Sequence, residues 1–282
     1  MAYSWECASK TSPRTFIFKE IANDTNVIDG NTRFPRTNFN FKMKKPPETG
    51  PINLIAFILL LFAGCNAFDR TSQPNEVSPH SATIRYAAIG DSYSIGEGAS
   101  ERESWPAQLA RHLTATGMGV TLVANPSRTG WTTQQAIDEE LPVWVAARPE
   151  FASVQIGVND WVQGVEAKTF QHRLAFLLDE MQKILPETNR LFLVTIPDFS
   201  VTPTGAMYSG GRDIARGLAE FNGIIKQEGA ARGLNVVDIF GLSQKMKNDS
   251  ILTAPDGLHP SAREYALWEE MIFPVAQKLL KK

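Results

Sequence analysis

The amino-acid sequence predicts an α/β fold, a single three-layer α/β/α domain on a five-stranded parallel sheet over residues 82–282. Three observations predict it: short apolar runs that recur along this stretch, segments between them with apolar residues at helical spacing, and polar turn residues after the runs. The runs cover 84–89, 120–124, 151–156, 191–196 and 234–239. Each has the length of a buried strand and is too short for a buried helix. Between them, Phe170, Leu174, Leu177, Leu178 and Met181 share one helical face, and so do Ile214, Leu218, Phe221 and Ile225. Thr132-x-x-Gln135 and Ser261-x-x-Glu264 have capping-box spacing, in which hydroxyl and N3 side chain each satisfy the other's backbone N–H, and so mark two further helix starts. Strands alternating with helices imply parallel pairing under two helical layers, and in such sheets function gathers beyond the carboxyl ends of the strands.

The front of the chain reads differently. Residues 54–63 form its longest apolar run, about half of the roughly 20 residues a spanning helix needs and within the length of a signal peptide's apolar core. Lys42, Lys44 and Lys45 precede it and Ala63-Gly64-Cys65 closes it. This order resembles the signal peptide of bacterial lipoproteins, in which the cysteine is lipidated and becomes the new N-terminus; Phe62 stands where that pattern usually carries Leu. A buried core helix or an uncleaved anchor is the competing reading. The expected organisation is a non-native or disordered extension over 1–42, a signal peptide over 43–64, a polar tether over 65–81 and the domain over 82–282. The resemblance implies an exported protein held on a bacterial membrane by a lipid anchor at Cys65.

Composition narrows the partners. Lys plus Arg number 28 against 30 Asp plus Glu, a formal net charge of −2, so the basic stripe of a nucleic-acid-binding domain is not expected. From Cys65 onward 20 basic residues face 25 acidic ones, a net charge of −5. Two cysteines, Cys7 and Cys65, exclude a disulfide scaffold. The four histidines, His80, His112, His172 and His259, are scattered and lack a cysteine partner, so no metal site and no cofactor is expected. The glycines at 90, 96 and 98 are not followed by Lys-Ser/Thr, which excludes a phosphate-binding loop.

The residues that follow the strands carry the chemistry. Gly90-Asp91-Ser92-Tyr93-Ser94 follows the first run, Asn125 to Gly130 the second and Gly157-Val158-Asn159-Asp160 the third, while Asp256-Gly257-Leu258-His259-Pro260 precedes the last helix. Together and in this order they resemble the SGNH, or GDSL-type, serine hydrolases over the whole of 82–282, with GDSYS in place of GDSL. The resemblance implies a flavodoxin-like SGNH fold, esterase or lipase activity without a cofactor, and an oxyanion hole made by the backbone N–H groups of Ser92 and Gly130 and the side-chain amide of Asn159. The α/β-hydrolase alternative requires a G-x-S-x-G elbow, which Ser92 does not occupy.

A serine hydroxyl needs a base within hydrogen-bond reach and a third group that orients the base. His259 is the expected base and Asp256, three residues earlier on the same turn, the expected acid; Asp198, after the fourth run, is its rival. Asp91 and Asp160, beside the key residues, read as turn and hydrogen-bonding groups, and His112 and His172 as surface or packed residues of helices. Trp131 and Trp161 directly follow Gly130 and Asp160, and are open to two readings, walls of a substrate cleft or core packing. The glycine-flanked segment 205–211 is expected to rim the site. A compact domain without a lid insertion points to small or short-chain carboxylic esters, acyl or acetyl. The alternative from another class is a surface-attached carbohydrate-binding lipoprotein with a vestigial site, against which the full set Ser92, Gly130, Asn159, Asp256 and His259 argues.

Overall fold

The computed structural model describes residues 83–281. The expectations for 1–81, including the signal peptide and Cys65, lie outside the described residues. Five strands form, β1 (Ile84–Gly90), β2 (Val120–Ala124), β3 (Phe151–Gln155), β4 (Leu191–Val194) and β5 (Asn235–Val237), and they pair in parallel in the order β2-β1-β3-β4-β5. Every predicted apolar run holds a strand. β4 stops at Val194 although Ile196 is also buried, because a side chain replaces the ladder there: Asn222 Oδ1 accepts from Ile196 N at 2.7 Å and its Nδ2 donates to Ile196 O at 2.9 Å.

The helices cover both faces. α2 (Trp105–Ala115) packs against α9 (Ala262–Leu280), and α6 (Ala167–Ile184) packs against α7 (Ile214–Ala231). All nine residues assigned to the apolar faces of the last two are buried, and the Phe170 and Phe221 rings stack at 4.5 Å where they meet. The chain steps from β1 outward to β2 and then back across to β3, so right-handed crossovers place the helix before this reversal and those after it on opposite faces. That reversal leaves a crevice outside the carboxyl ends of β1 and β3, where an open sheet of this order binds its ligands.

The capping boxes behave differently. At Thr132 both halves form, Gln135 Oε1 accepting from Thr132 N at 2.8 Å, and they open α3 (Thr133–Gln135), a π-helical turn at Ala136–Glu140 and α4 (Leu141–Ala146). At Ser261 only the hydroxyl half forms, with Glu264 N. The Glu264 carboxylate turns inward instead and accepts from Trp268 Nε1 at 2.7 Å, since a buried indole N–H must find an acceptor. Among the described residues no helix is long and apolar enough to cross a membrane.

Candidate active site

β1 ends at Gly90 and the chain turns at once. Asp91 Oδ1 accepts from Tyr93 N at 3.1 Å and so caps a single helical turn, α1 (Ser92–Ile95), whose first residue is Ser92, 5% exposed. Gly98, at φ +88°, then lets the chain lie against the histidine segment: a Cβ there would come within 2.6 Å of Ala254 Cβ and 2.8 Å of Pro260 O. Tyr265 of α9 fixes the same loop through its hydroxyl, which donates to Glu97 O at 2.9 Å.

The histidine segment is a closed loop. Thr253 and Pro260 bridge its ends, and Ala254 N donates to His259 O at 2.8 Å. Inside it the Asp256 carboxylate accepts from Leu258 N at 2.8 Å and His259 N at 3.0 Å through one oxygen, and meets His259 Nδ1 at 2.7 Å through the other. Partial burial works to raise the Asp256 pKa, but these backbone N–H groups and the ring outweigh it and hold the carboxyl below its usual range. With Nδ1 engaged, Nε2 is the ring nitrogen left for other work. The Tyr93 ring packs edge-on against His259, centroids 6.0 Å apart, and is itself backed by Trp268 at 5.8 Å.

β3 supplies the opposite wall. Gly157 leads into α5 (Val158–Val162), which carries Asn159, and Asn159 Nδ2 donates to Trp131 O at 2.9 Å. Gln163 Nε2 donates to Gly130 O at 3.1 Å, so the loop after β2 is stitched to α5 at two successive carbonyls. Gly130 has φ +82°, and a Cβ on it would meet nothing within 4 Å, so its backbone conformation rather than crowding calls for glycine. Asp160 lies beneath, buried, accepting from Thr133 N at 2.7 Å and Thr133 Oγ1 at 2.9 Å.

Ser92, Gly130, Asn159 and His259 thus line one pocket of about 170 Å³, with Tyr93, Val158, Val162, Phe199, Tyr208 and Leu258 among its walls. Ser92 and His259 make no direct hydrogen bond here; such bonds are often long or poorly aligned until substrate binds. Larger surface cavities of about 560 and 900 Å³ lie alongside and contain none of the four. Tyr208, from the glycine-flanked segment, forms part of the rim as expected.

Asp198 does not reach His259. It is buried, accepts from Ser200 N at 3.0 Å and from Gln244 Nε2 at 3.0 Å, and so caps the turn after β4. Trp161 requires a correction as a cleft residue: it is 5% exposed, packs on Phe199 and carries the Arg212 guanidinium 4.1 Å above its ring. It lies under the site because α5 turns its apolar side inward, and Arg212 locks it there by donating to Trp161 O at 2.6 Å and Val162 O at 2.9 Å. Trp131 is half-buried and lines the neighbouring 900 Å³ cavity, not the pocket of Ser92.

Sequence reasoning missed Glu140. It is fully buried and its Oε2 accepts from Gly90 N at 2.9 Å, directly under the serine turn. Burial pushes both Glu140 and Asp91 up to about 8, and raises Asp160 as well. The sequence Asp138-Glu139-Glu140 gives no signal of this, since it reads as one solvated acidic face.

Comparison with known proteins gives the family and the fold. The model of the GDSL-like lipase/acylhydrolase family matches residues 88–267. A multidomain esterase of Ruminococcus flavefaciens is 28% identical over 120 residues, a stretch that is 42% of this chain but 14% of that protein. Among solved structures, the lipase/acylhydrolase from Enterococcus faecalis superposes with a TM-score of 0.57 at 20% identity, over 70% of this chain and 96% of that one. A Clostridium thermocellum family 3 carbohydrate esterase gives 0.56 at 21% identity, over 71% and 98%. At these identities the structural likeness speaks to the fold.

Proposed function

The chain belongs to the GDSL-like lipase/acylhydrolase family, and on that premise we propose that it is a serine esterase cleaving small or short-chain carboxylic esters through Ser92, His259 and Asp256. In this reading Ser92 Oγ attacks the ester carbonyl carbon while His259 Nε2 takes its proton. The carbonyl π electrons move onto oxygen, and that oxyanion is met by the N–H groups of Ser92 and Gly130 and by Asn159 Nδ2. Asn159 spends one amide hydrogen on Trp131 O and keeps the second for this role. Collapse of the tetrahedral intermediate expels the alcohol, protonated by His259, and water repeats the sequence to release the acid. Asp256 holds Nδ1–H and stabilises the imidazolium that forms each time. The observation that carries the reading is the 2.7 Å contact of His259 Nδ1 with Asp256, made in the wall of the pocket that Ser92, Gly130 and Asn159 also line. A pocket of about 170 Å³, walled by Val158, Val162 and Phe199, supports a short acyl group, since it falls below the roughly 300–1,000 Å³ of ordinary ligand sites.

The test is ester turnover by the full chain. Wild type should hydrolyse p-nitrophenyl acetate, and Ser92→Ala and His259→Ala should each remove nearly all of it, alone as completely as together, because the pair acts as a unit. A Ser92→Ala protein that retains robust turnover overturns the proposal. The same proposal includes export and a lipid anchor at Cys65, supported by the basic, apolar and small-residue order of residues 43–65.

A further inference from the structure

We propose that Glu140 is a positioning residue for the nucleophile: by holding Gly90 N from beneath, it fixes the turn that presents Ser92 to the ester carbonyl. The inference rests on the ester-hydrolase reading above and adds a residue outside the triad and the oxyanion hole. The sheet runs out where Glu140 acts. N–H groups along a strand point alternately to its two neighbours, and Ile84 N donates to Gly119 O, just before β2, at 2.8 Å. Gly90, six residues further, faces the same side, but β2 pairs with β1 only as far as Ala87. A buried N–H in that position needs an acceptor that no strand supplies. Glu140 Oε2 supplies it at 2.9 Å.

What Glu140 holds is a compact piece. The Asp91 carboxylate caps Tyr93 N, and Gly96 N donates to Ser92 O at 3.1 Å. Ser94 lies so close over Gly90 that a Cβ on the glycine would come within 2.1 Å of Ser94 Oγ. Among the described residues, two side chains of other elements hydrogen-bond to the backbone of 90–94: Glu140 at Gly90 N, and Asn125, whose Nδ2 donates to Ser94 O at 2.8 Å. Ser92 lies between these two anchors. Loss of the first leaves the serine free to swing about the second.

Glu140 does this as an acceptor and not as a charge. Among the described residues it has no cation as partner: α3 and α4 carry no charged side chain, Arg85 of β1 donates to Ala147 O and Arg148 O, and Arg173 of α6 lies 3.7 Å from Asp160. The nearby acid is Asp91, and burial pushes the Glu140 carboxyl up to about 8, so near pH 7 it is a neutral acid. Glutamine reproduces that state.

The test compares Glu140→Gln, Glu140→Ala and Glu140→Leu in the full chain, by p-nitrophenyl acetate kinetics and fluorophosphonate labelling at neutral pH and well below each Tm. Glu140→Gln keeps an acceptor for Gly90 N and should hold kcat/KM within about threefold of wild type. Ala and Leu leave Gly90 N unpaired and should lower kcat/KM and the rate of Ser92 labelling at least about tenfold, because a small displacement of the nucleophile is costly. Leu fills the space that Ala empties, so a loss common to both folded variants separates the missing acceptor from a cavity. Wild-type kcat/KM in folded Glu140→Ala and Glu140→Leu overturns the proposal, as does a loss in Glu140→Gln as deep as in Glu140→Ala. Those outcomes leave the esterase reading standing; a wild type that neither turns over nor labels sinks both.

Discussion

Asp256 makes all three of its hydrogen bonds within three residues of itself, and only one of them reaches the His259 ring. Asp256→Asn keeps an acceptor for the two backbone N–H groups and removes the charge behind the ring. It should therefore lower kcat/KM on p-nitrophenyl acetate while leaving thermal stability close to wild type. Asp198→Asn should do the reverse: its amide oxygen can still cap Ser200 N, but its NH2 would face the donor Gln244 Nε2 in a buried site, lowering Tm with little loss of turnover. Steady-state kinetics beside thermal melts decide it: the larger kinetic loss in Asp198→Asn would reassign the acid. Asn159→Ala should cost about 10²–10³ in kcat, the scale of one oxyanion donor. Ser92, Asn159, Asp256 and His259 were legible in the sequence because each sits in a short turn whose residue types are tied to local backbone conformation. Trp161 and Glu140 were not, because what decides them is which side of a helix faces the sheet. Tryptophan beside a site residue and glutamate in an acidic run carry no mark of burial.

Among the elements, the π-helical turn Ala136–Glu140 has the clearest physical consequence. Its extra residue rotates Glu140 off the exposed acidic face that Asp138 and Glu139 keep and sets it beneath the end of β1. Burial raises the Glu140 carboxyl from 4.5 to about 8. A folded-state pKa above the unfolded one means that the folded chain holds the extra proton between those values. The stability from neutral Glu140 is thus fully present below about pH 4.5 and is lost as pH rises through about 8. Glu140→Gln keeps an acceptor for Gly90 N and cannot ionise. Its Tm should match wild type near pH 5 and exceed it at pH 8 and above, with a flatter profile between; parallel profiles would refute the burial argument. The long elements, α6, α7 and α9, were readable from their apolar period or cap. α3 was marked by its capping box at Thr132, whereas the one-turn helices α1 and α5 were not readable, because too few residues lie in them to show a period.

At the scale of the molecule, two helical layers bury the central strands β1, β3 and β4 on both faces from Tyr86 onward, while the edge strands β2 and β5 keep Thr121 and Asn235 exposed, so the runs stand out most clearly at the centre of the sheet. Strand order leaves no such mark; the flavodoxin-like arrangement followed from the family resemblance and is met by the order β2-β1-β3-β4-β5. That order sets the ends of β1 and β3 side by side, bringing residues as distant in sequence as Ser92 and Asn159 to one pocket. For the chain before the described residues, wild type should be recovered in the membrane fraction with a diacylated Cys65 at its N-terminus, since two acyl chains hold where one binds reversibly. Cys65→Ser should leave that fraction. Peptides from 1–42 in the mature protein, or unchanged attachment of Cys65→Ser, would contradict the anchor. Covalent labelling reads directly whether Ser92 is a nucleophile activated by His259. A fluorophosphonate probe should modify the full chain at neutral pH, with the adduct mapping by peptide mass to Ser92 alone and its formation slowed by orders of magnitude in His259→Ala. Labelling absent from wild type, located on another residue, or equally fast without His259 would contradict it.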